Sequence, residues 1–271
     1  MRKTSARAPI GVFDSGLGGL TVFRALSRRM PGESLVYFGD TAHVPYGSKS
    51  PQSVARYSVE IARFLAAKGI KLLVVACNTS SAVALPAIRR AVKIPVIGVI
   101  EPGSRAALAA TRGGRIGIIG TEATVRSGAY PQVLRALGSR AKTASRACPL
   151  FVPLVEEGWW DGQVTEEIAR RYAVPLRRAR VDTLILGCTH YPYLKPVLAR
   201  VMGPRVRLID SAEETARRTQ SALKEAGLLA PAGRRGRREF YASDAPERFK
   251  RLARRMLGPG VTRVRRHSFG S

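Results

Sequence analysis

Short apolar runs alternate with amphipathic, helix-like stretches along the whole chain, and this pattern constrains the fold more than any other feature. IGVF starts at Ile10, SLVYFG at Ser34, KLLVVAC at Lys71, PVIGVI at Pro95, RIGIIG at Arg115, DTLILGC at Asp182 and RVRLID at Arg205. A strand that is apolar without alternation is buried on both faces, which calls for a parallel sheet covered by helices on either side. The expected fold class is therefore α/β. With 271 residues, 45% of them hydrophobic, the chain can bury one large core or two modest ones.

An internal repeat favours two. LLVVACNTSSAVALPAIRRAV is similar to TLILGCTHYPYLKPVLARVM: an apolar strand, a cysteine beside threonine, a short turn, then a helix opened by Pro86 or Pro196. Proline suits a first helical turn, where its missing N–H has no partner to lose. A second match joins IGVFDSGLGG at Ile10 to IGIIGTEATV at Ile116. Two similar parallel-sheet units related by a pseudo-two-fold axis are expected: residues 1–101 with 211–271 carrying Cys77, and residues 102–210 carrying Cys188. Ligands of open α/β sheets bind beyond the carboxyl ends of the strands, so facing units would place two thiols across one cleft. The last sixty or so residues are expected to return to the first unit through a strand at FYASD and a helix at PERFKRLARRMLG, with PAGRRGRRE as a flexible, exposed loop leading in.

Each of the two repeat cysteines follows a buried strand and precedes a helix, where free N–H groups and the helix dipole favour a thiolate. A lone buried cysteine is as often a small apolar filler, but the matching positions argue for a paired role. Cys148, in ACPLFVPL, has no counterpart and reads as filler. Asn78 and Thr79 after the first thiol, and Thr189 and His190 after the second, offer N–H groups and hydroxyls that suit a carboxylate as well as a phosphate. Asp14 and Ser15 in DSGLGG add an acid and a hydroxyl; the turn is neither a Walker loop nor a GxGxxG fingerprint, so nucleotide binding is disfavoured. A histidine standing alone is by default structural, yet His190 beside a thiol can exchange a proton with it or stabilise the thiolate. Glu156 and Glu157 in PLVEEG are equally compatible with a solvated helix pair, and His43 and His267 read as structural.

The three cysteines are too few and too dispersed for a disulfide framework or a metal site. No run approaches the roughly 18 apolar residues that span a bilayer, and the basic MRKTSARAP leads straight into IGVFDSGLGG, so no export signal and a cytoplasmic location are expected. A net charge of +27 predicts attraction to polyanions, but the arginines lie along solvated helix faces and no base-reading module is visible.

Taken in order, DSGLGGLTV, GDTAHVPYG, CNTSSA, PLVEEG and GCTHYPYL resemble the glutamate racemases of bacterial cell-wall synthesis, and FYASD with its following helix is similar to that family's C-terminal segment. The related aspartate racemases typically carry a glutamate where this chain has His190. The resemblance implies a cofactor-independent, metal-free enzyme that interconverts L- and D-glutamate and supplies D-glutamate for peptidoglycan. It implies Cys77 and Cys188 as the catalytic acid/base pair, Asp14 assisting the first, and His190 and Glu156, or its neighbour Glu157, assisting the second. Substrate contacts are implied for Asp14, Ser15, Tyr46, Gly47, Asn78, Thr79, Thr189 and His190. It also leaves open a homodimer, and nucleic-acid or gyrase binding served by the +27 charge. A racemase acting on aspartate or a hydantoin, and a binding protein without catalysis, are the alternatives.

Overall fold

The apolar runs become strands and the amphipathic stretches become the helices that cover them. The computed structural model describes residues 5–269. Its first unit runs β1 (Ile10–Asp14), α1 (Leu20–Arg29), β2 (Leu35–Gly39), α2 (Pro51–Ala67), β3 (Leu72–Val75), α3 (Asn78–Val83), α4 (Leu85–Ala91) and β4 (Val96–Gly98), and α5 (Ile100–Ala110) then crosses over and packs on the second sheet. The second runs β5 (Arg115–Gly120), α6 (Glu122–Arg126), α7 (Ala129–Ala136), β6 (Lys142–Ala147), α8 (Phe151–Glu156), α9 (Gln163–Arg178), β7 (Thr183–Gly187), α10 (Lys195–Met202) and β8 (Arg207–Ile209). The chain then returns through α11 (Ala212–Glu225), β9 (Arg238–Ala242), α12 (Pro246–Leu257) and β10 (Arg265–Arg266).

All strand pairs are parallel, in one sheet of order β10-β9-β2-β1-β3-β4 and one of order β6-β5-β7-β8. With β9 and β10 set aside, the first sheet reads β2-β1-β3-β4, the order of the second, so the sequence repeat is a repeat of topology. In both, successive connections leave the central strand in opposite directions, which puts the switch point between β1 and β3 and between β5 and β7. Alternate residues feed the two faces of each sheet. Ile10, Val12, Leu72 and Val74 enter the core beneath α1, α11 and α12, while Phe13, Leu73 and Val75 enter the core beneath α2 and α4. Leu184 and Leu186 pack with Phe151 and Leu176, and Ile185 packs with Ile116, Ile118 and Tyr130.

Local chemistry starts the helices that matter for the site. Ser50 accepts from Ser53 N–H ahead of Pro51, and Thr121 accepts from Thr124 N–H at the start of α6. Pro86 and Pro196 sit in the first turns of α4 and α10, as their spacing predicts.

One strand carries no apolar signal, and two expectations need correction. β6, of sequence KTASRA, has no apolar run because it is a solvent-exposed sheet edge, where polar and charged residues guard unpaired backbone. PVIGVI is not one strand: Val96–Gly98 pairs with β3, and Ile100 already belongs to α5. The arginine-rich loop before β9 is exposed but not loose, since Arg234 donates to Arg7 O and Ser34 Oγ, and Gly236 N–H to Pro31 O. Arginines elsewhere sit on outer helix faces, as Arg170 and Arg171 do in i,i+4 pairs with Glu166 and Glu167. Among the described residues no helix is long and apolar enough to cross a membrane.

Candidate active site

Both switch points carry a cysteine. Cys77 lies two residues past β3 and caps α3, its sulfur receiving Ser80 N–H at 3.5 Å. Cys188 directly follows β7. Both thiols are free and almost fully buried. Ser15 Oγ stands 3.7 Å from Cys77 Sγ, and His190 Nδ1 stands 3.7 Å from Cys188 Sγ. The far side of the imidazole faces Glu156, with Nε2 3.3 Å from Oε1 but not aligned as a hydrogen bond. Glu157, by contrast, is 69% exposed and lies 3.8 Å from Arg248.

Asp14, at the end of β1, joins the two halves. One carboxylate oxygen accepts Gly16 N–H and the other accepts the Thr189 hydroxyl of the second unit at 3.1 Å. The opposite tie comes from Tyr130, whose hydroxyl donates to Asn78 Oδ1 at 2.7 Å. Thus the residue that follows each cysteine is held from the other unit. Gly18 packs so closely on Thr189 and His190 that a methyl group there would overlap both side chains.

The titratable groups beside the two thiols differ. Burial, reinforced by the nearby Asp14 carboxylate, pushes the Cys77 thiol up to about 11 against the pull of Ser80 and Ser15. This corrects the expectation that the helix N-terminus favours a thiolate: one N–H at 3.5 Å does not offset complete desolvation. At His190 burial disfavours the charged ring, but contacts with Cys188 and Glu156, and the charges of Cys188 and Asp14, overcome it and raise the imidazole to about 10. Burial raises Asp14 as well, opposed by the His190 charge, the N–H groups of Gly16 and Gly19, and Thr189.

Comparison with known proteins agrees with this architecture. The Asp/Glu/Hydantoin racemase pattern matches residues 10–219. The chain belongs to that family. It is 54% identical to a glutamate racemase of Geobacter metallireducens over 92% of either chain. Its fold matches a Bacillus anthracis glutamate racemase with a TM-score of 0.91 at 39% identity, covering 98% of both chains. It also matches a Francisella tularensis glutamate racemase solved in complex with D-glutamate, with a TM-score of 0.90 at 35% identity, covering 97% of this chain and 98% of that one.

Within this racemase fold, Asp14, Ser15, Cys77, Asn78, Thr79, Glu156, Cys188, Thr189 and His190 fall into one cluster. Tyr46 differs, because it is buried and its hydroxyl is committed to Asp40 at 2.5 Å. Gly47 packs on Thr121, where a methyl group would come within 2.5 Å of the threonine Cβ. Thr121 and Thr124 were not expected, yet they share hydroxyl contacts of 3.0 and 3.3 Å with Thr79. Their signal lay in the repeat, since TEATV occupies the place of SGLGG. Asn78 Nδ2 is buried with no partner among the described residues, a free donor inside the cluster. Cys148 is buried in the second core with its sulfur on Arg146 O, as a filler would be. Two cavities reach the cluster from outside, about 20 and 90 Å³, and neither cysteine lines either one. Glu156 lines both, and His190 lines the smaller.

Proposed function

We propose that this racemase interconverts L- and D-glutamate by two-cysteine proton transfer and supplies D-glutamate for peptidoglycan. The observation that carries the reading is the placement of Cys77 and Cys188 at equivalent switch points, with Asp14 in reach of both halves. The reading divides the chain into residues 1–101 with 211–271 and residues 102–210, in line with the strand membership of the sheets.

One thiolate removes the α-proton and the opposing thiol delivers a proton to the other face, inverting the centre through a planar, carbanion-like state. A single base does not reach both faces of a bound carbon, so the two sulfurs divide the work. In one direction Cys188 is the base, with His190 Nδ1 at its sulfur, and Cys77 is the acid, kept protonated by burial. In the other direction the roles reverse: Cys77, a thiolate once its proton has gone to the substrate, is the desolvated base assisted by Asp14, and Cys188, which holds the proton it removed, is the acid. Asn78, Thr79, Thr189 and Ser15 grip the substrate carboxylates and stabilise the developing charge. His190 and Glu156 hold the proton balance of Cys188. The reading invokes no metal and no organic cofactor.

Solvent deuterium incorporation at the α-carbon tests it, using L- and D-glutamate with the wild type, Cys77→Ser and Cys188→Ser. Racemisation should fall by roughly 10²- to 10⁴-fold in each variant. Near-wild-type racemisation by either would refute the assignment, and faster turnover of aspartate or a hydantoin would reassign the substrate.

A further inference from the structure

Asp40, one residue past β2, is a buried carboxylate that the mechanism above does not use. Its Oδ2 accepts the Tyr46 hydroxyl at 2.5 Å, its Oδ1 accepts Ser243 Oγ at 2.7 Å, and His43 Nδ1 lies 3.0 Å from both oxygens. Its backbone N–H donates to Asp14 O at 3.0 Å. Neither Lys nor Arg pairs with it among the described residues. Three donors converge on one acceptor-only group from three places: the turn Tyr46–Ser48, the segment after β9, and the loop after β2. An amide would turn an N–H₂ toward one of those donors.

The turn that Asp40 holds is also one of the parts of the first unit that lean on the second. Tyr46 is fully buried, with its ring 5.9 Å from Tyr57, and Tyr57 stacks on His43 at 4.0 Å. The next residue, Gly47, packs on Thr121, whose hydroxyl is 3.0 Å from that of Thr79, two residues past Cys77. A continuous line of contacts therefore runs from Asp40 through Tyr46 and Gly47 to Thr121 and Thr79.

We propose that Asp40 is a positioning residue for the reaction, fixing the Tyr46–Gly47 backbone as a wall of the substrate site. The inference rests on the racemase reading above. Asp40 touches no reacting atom; its effect passes through Tyr46.

The test is steady-state racemisation of glutamate by the wild type, Asp40→Asn, Tyr46→Phe and the double variant, with Tm measured in parallel. Misplacement of a binding wall should raise KM by about tenfold or more while kcat stays within about threefold. Tyr46→Phe should raise KM in the same sense, and the double variant should be no worse than Asp40→Asn, because both changes cut one linkage. Should Asp40→Asn fail to fold, Tyr46→Phe and Ser243→Ala carry the test, both expected to raise KM. A KM unchanged in these variants despite a lowered Tm overturns the proposal, as do multiplicative effects in the double variant or a loss confined to kcat. Absence of glutamate racemisation in the wild type would instead fell the parent reading.

Discussion

The two halves share a strand order but treat their cysteines differently. Cys77 is surrounded by Ser15, Ser80 and a buried acid, so its proton is held tightly; Cys188 has an imidazole on its sulfur side and a carboxylate behind that ring. Duplication of a fold thus supplied two thiols in matching places, and divergence of the residues around them made the pair unequal. Under the proposed mechanism an unequal pair is useful, because one sulfur would begin the cycle as a base and the other as an acid.

The sharpest way to break this comparison is to remove one helper from each half. His190→Asn should lower kcat by about 10²-fold, the low end of a general acid/base contribution, whereas Ser15→Ala should cost tenfold or less. Equal losses in kinetic assays of both directions would show that the halves are equivalent after all. The same contrast sets the alkaline behaviour. In the wild type kcat/KM should decline as pH rises through about 10, where His190 loses its proton, and in His190→Asn the decline should move toward the Cys77 value of about 11.

Stability should follow with the same sign. Both groups are raised above their ordinary values, 6.5 for His190 and 9.0 for Cys77, so each contribution is complete below that value and is lost as pH rises through about 10 and about 11 respectively. Thermal melts should therefore show Tm falling from pH 7 to 11, with His190→Asn flattening the part below pH 9. A Tm that rises over this range would contradict the protonation pattern.

A smaller effect separates the two glutamates of PLVEEG. Glu156→Gln removes the charge behind His190 and should lower kcat by roughly tenfold, while Glu157→Gln, which alters only an exposed contact with Arg248, should stay within about twofold. The reverse order would place the wrong carboxylate behind the imidazole.

How much of this was legible in the sequence depends on what each residue's signal is made of. Central strands such as LLVV and TLILG announce themselves because burial on both faces leaves only apolar residues, and the repeat around Cys77 and Cys188 is a pattern of local order. β6 was invisible because an edge strand is written in polar residues. The raised proton affinity of Cys77 could not be read locally, since it arises from packing that seals the sulfur beside Asp14. Glu156 and Glu157 are neighbours in sequence, and only the end of α8 decides which one turns toward His190. Thr121 was legible in principle, at the position matching Ser15, but its tie to Thr79 is a contact between units that no local pattern encodes.

The smallest expected effect probes how each half steadies the other. Tyr130, from α7, holds the amide oxygen of Asn78, which leaves Nδ2 buried and unpartnered in the cluster. A buried amide with its oxygen held by a hydroxyl and its N–H₂ free is oriented to donate. Tyr130→Phe removes one neutral hydrogen bond, a loss of about 1 kcal/mol, or about fivefold in an equilibrium constant. Because the proposed role of the amide is binding rather than proton transfer, that loss should enter KM and leave kcat nearly unchanged. The equivalent cut on the other side, Thr189→Val, breaks a contact to the Asp14 carboxylate and should cost more, because hydrogen bonds to charged groups are stronger. If the two substitutions prove equal in KM, the reciprocal ties between the halves are interchangeable, and the inequality of the site resides in the thiol environments alone.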